Sequence, residues 1–423
     1  VTWHPFGKST RTTRAASGGH LDAGTVAVSA GGSSFVWAPE KQPALCSRDH
    51  GKTWVPVAGW PGGEVEAVPV ADRHVDGVFY VHDRAAGEIL VSVDGGLSFR
   101  TEVTGLPKLA SWQSSQLVAA PGALRDLWLV LHDVLLHLPG PQKPAVTIRN
   151  VAECWKVALG KAAPGKDYHG VCLGGGLQSG ERQVEGLFRS DDAGQSWTLV
   201  NKSMDITQRA FYYSNVFVDP KDANTIYLPN VGVYVSHDGG KTLNALRPPH
   251  GDNHVLWINP NNTQVFIEGN DGGAAVTLNG GRAFSSEDNQ PTGQFYHANL
   301  DNDFPFAIYG AQQDRSSVEG PSAAVTPVWT NIQGGEMSWV VPTPGRPWIT
   351  YASGYYSMEW RDDRRAGLVT NVAPWPEYKF GLQGTQIKYR YGWNHHPVVF
   401  ASHNPRELLM GANVLFETLD EGT

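Results

Sequence analysis

Ser190-Asp191-Asp192-Ala193-Gly194-Gln195-Ser196-Trp197 is the stretch by which the rest of this 423-residue chain can be read. Its pattern of Ser, any, Asp, any, Gly, any, Ser/Thr, aromatic returns from Ser47 to Trp54, from Ser92 to Phe99 and from Ser236 to Leu243. It returns in weakened form from Thr277 to Phe284, and a last copy begins at Thr418. The pattern predicts a strand running into Ser, an Asp carboxylate accepting hydrogen bonds from the turn's own amides, a Gly at positive φ, and an aromatic ring packed beneath.

The spacing of the copies predicts an architecture. Ser47 to Ser92 is 45 residues and Ser190 to Ser236 is 46, whereas Ser92 to Ser190 is 98, two units with one copy eroded near Leu138 to Ala145. Thr277 to Thr418 is 141, three units with two unmarked sheets between. A fixed period of several short strands and a tight turn is the pattern of a β-propeller. The expectation is an all-β, single β-propeller over residues 1–423, with four-stranded blades. The markers count to about nine units, and erosion leaves seven or eight as the other counts. The copy at Thr418 ends at Thr423 without its aromatic, while Val1-Thr2-Trp3-His4-Pro5 reads as that aromatic and strand. Val1 to Phe6 are therefore expected beside the strand ending near Phe416, so that N- and C-terminal strands close the ring and remove its unpaired edge.

The repeated turn resembles that of the Asp-box, or BNR-repeat, propellers, which include sialidases, xyloglucanases and the sortilin ectodomain. Within residues 1–200, Thr25 to Pro39, Ala67 to Phe79, Leu159 to Gly165 and Gly186 to Gly194 resemble the second propeller of the family-74 xyloglucanases. The segments carrying that family's two catalytic aspartates find no match here. Within residues 201–423, Gln208 to Tyr227, Arg247 to Asp252, Glu268 to Gly273, Asp288 to His297 and Tyr309 to Asp314 resemble bacterial glycosyl-hydrolase or sortilin-like BNR-repeat proteins. The resemblance implies a secreted or extracellular carbohydrate-active protein. A glycoside hydrolase using paired carboxylates is the first reading, and a non-catalytic glycan- or peptide-binding propeller, lectin-like or sortilin-like, is the alternative. A sialidase is excluded by the absence of a Phe/Tyr-Arg-Ile-Pro start and of an evident arginine cluster.

Composition narrows the partners. A net charge of −8 with 17% charged residues argues against nucleic acid, which calls for a basic stripe. No apolar run reaches membrane-spanning length. A polysaccharide or glycan is the expected partner. Of the three cysteines, Cys154 and Cys172 flank one loop; they are either bridged or buried as free thiols.

The polar-rich loops fall mainly in the second half. Asp271, between glycines, and Asp314 and Glu336, each near a strand end after small residues, are the candidate catalytic carboxylates. Two such groups roughly 5 to 10 Å apart would suit glycosidic cleavage. The competing reading makes each the cap of its own turn. Tyr296, Trp339, Tyr355 and Trp393 are candidates for stacking on sugar rings, with Arg390 as a polar partner. No cofactor is expected, with one exception. If His250-Gly251-Asp252-Asn253-His254 is extended, His250, Asp252 and His254 share one side and could hold a divalent metal. The plainer alternative is a loop whose polar groups satisfy the backbone.

Overall fold

The computed structural model describes residues 24–39, 42–62, 67–110, 112–141, 143–208, 215–288, 290, 293–323, 328–376, 381–391 and 396–422. Val1 to Phe6, expected to close the ring, lie outside them. Contacts divide the chain into two compact units, Val1–Ser286 and Glu287–Thr423. The change of resemblance near Asn201 falls inside the first of these, at the end of the strand Thr198–Asn201.

Strands follow the turn signals throughout. The described residues form nine antiparallel sheets, seven of four strands and two of three, each an up-and-down meander in chain order. The α-helix among them is a single turn, Met204–Thr207, capped by the Ser203 hydroxyl. In every readable copy of the repeated turn, the opening Ser or Thr is the last residue of the sheet's third strand: Leu45–Ser47, Glu88–Ser92, Arg182–Ser190, Val233–Ser236, Gly273–Thr277 and Leu415–Thr418.

Hydrogen bonds show how the turn is held. Asp192 accepts from the Ser196 amide at 2.9 Å and from both the Ser196 and Ser190 hydroxyls. Ser190 Oγ in turn accepts from the Gly194 amide at 2.8 Å, a second anchor that the carboxylate-centred reading did not include. The glycine also packs between sheets. A Cβ on Gly194 would lie 2.8 Å from Ile148 Cδ1 and 3.0 Å from Trp128, both belonging to the preceding sheet. One on Gly240 would lie 2.6 Å from Leu187 Cδ2, again in the preceding sheet. Each turn thus seats its sheet on its predecessor.

The cores lie between neighbouring sheets. The strand Asp126–Val130 is buried along its whole length because both its faces are covered. Leu127 and Leu129 join the cluster shared with Tyr80, Ile89 and Val91 of the sheet before. Trp128 and Val130 join the cluster shared with Val157, Leu173 and Phe188 of the sheet after. Period-two alternation sends successive side chains to opposite faces, so a strand between two sheets reads as the unbroken apolar run LWLVL. Cys154 and Cys172 sit in these layers as buried free thiols rather than a bridge. Cys154 faces Gly175 and Cys172 faces Ala158 across the strand pair.

In the first unit, all six sheets turn their first strand toward one cavity of about 850 Å³, which Val28, Ala71, Val118, Val157, Phe217 and Trp257 help to line. Six meanders arranged radially with first strands innermost make this unit propeller-like.

Candidate functional site

In the second unit, two loops bring four of the expected residues together. The first follows the strand Ala307–Gln312, where Asp314 turns the chain at φ 58° and the Gln313 amide donates to Gln294 O at 2.8 Å. The second is Gly334-Gly335-Glu336, pinned from beneath by three fully buried serines. Ser317 Oγ donates to Gly335 O at 3.0 Å, the Gly335 amide donates to Ser338 Oγ at 2.6 Å, and Ser338 Oγ donates to Ser353 O. Gly334 adopts φ 136° with its Cα face against Ser317 and Ser338, a place where no side chain fits.

Glu336 is held at both oxygens. Oε2 accepts the Asp314 amide at 3.0 Å, and Oε1 accepts the Tyr355 hydroxyl. Tyr355 is 41% exposed and Tyr296 half-buried. Burial raises the pKa of both phenols above the ordinary tyrosine value, and the negative charges of Glu336 and Asp314 raise them further. Both carboxylates therefore act on both rings. Beside Asp314, Arg315 pairs with the buried Glu287 at 3.2 Å.

The remaining candidates sit elsewhere. Trp339 leans over His297, ring centroids 4.0 Å apart, and packs against the core cluster that includes Val341 and Tyr351. Arg390 is exposed, and its backbone exchanges hydrogen bonds with Asn413. Trp393 lies outside the described residues.

In the first unit, Asp271 stands at the tip of the hairpin between Phe266–Asn270 and Gly273–Thr277. Its Oδ1 lies 2.6 Å from His254 Nε2, and its amide donates to Asp252 O at 3.2 Å. The shared side expected of His250, Asp252 and His254 does not form. Among the described residues, no group of three His, Cys, Asp or Glu side chains is placed to hold an ion. The reason is conformational: Asp252 has φ 54°, the strand begins only at Asn253, and the register shifts between Asn253 and Val255. The alternation that would align His250, Asp252 and His254 is broken. His254 instead meets Asp271, while His250 Nδ1 lies 2.8 Å from Gly251 O.

No family model matches the chain. The curated relatives it does match are xyloglucanases. It is 30% identical over 279 residues to the enzyme of a Paenibacillus species, covering 62% of this chain and 25% of that one. It is 33% identical over 183 residues to xyloglucanase Xgh74A of Acetivibrio thermocellus, covering 43% of this chain and 20% of that one. The chain thus spans a quarter or less of the length of these relatives. Among solved structures, the family-74 enzyme of Niastella koreensis is similar at 28% identity, covering 51% of this chain and 31% of that one, with a TM-score of 0.43.

Of the residue types that sequence reasoning missed, the serines beneath Glu336 carried a signal. Ser317, Ser338 and Ser353 are small hydroxyl residues with apolar neighbours in sequence (Val318, Trp339 and Ala352), where a buried hydroxyl must find a partner.

Proposed function

We propose that the protein is a carbohydrate-active glycoside hydrolase directed at a xyloglucan-type β-glucan, with Asp314 and Glu336 as its working carboxylates. The observation that carries the reading is the hydrogen bond from the Asp314 amide to Glu336. It holds two carboxyl-bearing loops together beside the rings of Tyr296 and Tyr355. Similarity to xyloglucanases supports the substrate class. In this reading the phenol and amide fix Glu336, one carboxyl protonates the leaving oxygen, and the other works on the opposite face of the sugar. An accessible ring such as Tyr355 offers a stacking surface to a pyranose. A polymeric substrate of this kind is met outside the cell, so a secreted location belongs to the same proposal.

One observation favours a second reading. Both Glu336 oxygens already accept hydrogen bonds, as in a carboxylate used to shape a glycan-binding loop without cleavage. Reducing-sugar release from xyloglucan, mixed-linkage β-glucan and xylan separates the two. For the hydrolase, Asp314→Asn and Glu336→Gln lower release by about a hundredfold or more with unchanged Tm. Asp271→Asn, in the other unit and paired with His254, stays within a few-fold. No release from any substrate, with glycan binding that survives both changes, would leave the binding reading.

A further inference from the structure

The cavity of the first unit has a volume of about 850 Å³, within the roughly 300 to 1,000 Å³ usual for small-molecule sites. Its walls are largely aliphatic, and Trp257 stands 56% exposed in the strand Asn253–Ile258 that borders it. Among the described residues, two charged ones reach its lining, Asp72 and Arg73, and they differ in what satisfies them. Asp72 is 1% exposed, with its carboxylate turned into the protein, where it accepts the amides of His74 and Val75 and the Tyr80 hydroxyl.

Arg73 has no such neighbours. Its Nη1 donates to Leu159 O at 3.1 Å, across to the fourth sheet, and no carboxylate among the described residues pairs with it. The side chain is open to the solvent of the cavity, yet enough protein surrounds it that burial lowers its pKa from the ordinary arginine value. A guanidinium with donors to spare in a largely aliphatic cavity offers its planar fork to a carboxylate.

We propose that this cavity binds a monocarboxylate carried on a six-membered ring, with the acid group against Arg73 and the apolar ring face available to Trp257. The shared chemistry belongs to both a sugar acid and an aromatic acid. The site is separate from Asp314 and Glu336, so it stands whether or not the protein cleaves a glycan.

The test is calorimetric titration of the full chain with galacturonate, benzoate and neutral galactose, repeated with Arg73→Gln and Trp257→Ala. At least one acid should bind, about tenfold or more tightly than galactose, and weaken as salt rises from about 50 to 500 mM. Arg73→Gln should weaken it by about tenfold or more, in line with the loss of one charge-assisted pair. Trp257→Ala should weaken it by a smaller factor, and if that variant misfolds, Trp257→Phe with an unchanged Tm replaces it. Tighter binding of galacturonate assigns a sugar acid, and tighter binding of benzoate an aromatic acid. Equal binding of acid and neutral probes, binding indifferent to Arg73→Gln, or no binding of any probe would overturn the proposal. Asp314→Asn and Glu336→Gln should titrate like the parent protein.

Discussion

Asp238 accepts the Thr242 amide, its hydroxyl and the Ser236 hydroxyl, and these bonds hold its pKa down at about 2; the equivalent bonds hold Asp49 at about 2. A carboxyl depressed in the folded state contributes stability that is present above its unfolded pKa and lost as pH falls through the folded one. The window is therefore pH 4 down to 2. Asn279 shows that the uncharged amide keeps two of these three bonds, accepting the Ala283 amide at 2.9 Å and the Thr277 hydroxyl at 3.0 Å. Asp49→Asn with Asp238→Asn should accordingly lose less Tm than the parent between pH 4 and 2; an identical acid profile in thermal melts would count against it. Glu359 runs the other way. It is buried with His396 Nε2 at 3.2 Å from Oε2, and burial raises its pKa well above the usual carboxylate value. Its contribution is complete below the unfolded pKa and declines as pH rises toward the folded one. Glu359→Gln should match the parent near pH 4 and exceed its Tm by a few degrees at pH 8. At this scale the turn carboxylates were legible, because Asp two residues after Ser and two before Gly has one local use. The metal reading of His250, Asp252 and His254 was not, because a single positive φ at Asp252 undoes a face inferred from alternation.

The glycine of the repeated turn looked like a purely local requirement for positive φ, and the sheets show a second use. At Gly240 both act together, φ 99° and a Cβ position 2.6 Å from Leu187. Gly240→Ala should destabilise by about 1–3 kcal/mol through strain and overpacking. In Gly232→Ala, where an added Cβ meets nothing closer than 3.7 Å, the change should be small. Urea unfolding of the two variants checks the contrast, and equal losses would remove the docking argument. A second repeated turn, between first and second strands, went unread. Asp72, Asp219, Asn259 and Asp301 each accept amides of the residues that follow. Tyr80 and Tyr309 then return their hydroxyls to Asp72 and Asp301 from the next strand. Its residues vary between Asp and Asn and its length drifts, so no fixed pattern marks it. The Glu336 loop was half legible for a similar reason: a carboxylate after Gly-Gly suggests a strand end, but the Tyr355 hydroxyl arrives from nineteen residues away.

At the scale of the molecule, period and strand content were legible, since each marker falls at the end of a third strand. The division at Ser286 and Glu287 was not. It depends on how many neighbours cross a point in the chain, which no local pattern reports. Two compact units predict two calorimetric transitions, with Gly240→Ala lowering only the one that belongs to Val1–Ser286. A single transition lowered as a whole would show the units to unfold together.

Because the turn glycines at 194 and 240 each rest on the sheet that precedes them, the seating has a direction that runs with the chain. During synthesis, each such sheet leaves the ribosome after the surface that will receive its turn, and none of these turns must wait for sequence still to be made. Nascent chains arrested at successive lengths should gain protease resistance one sheet at a time, N-terminal sheets first.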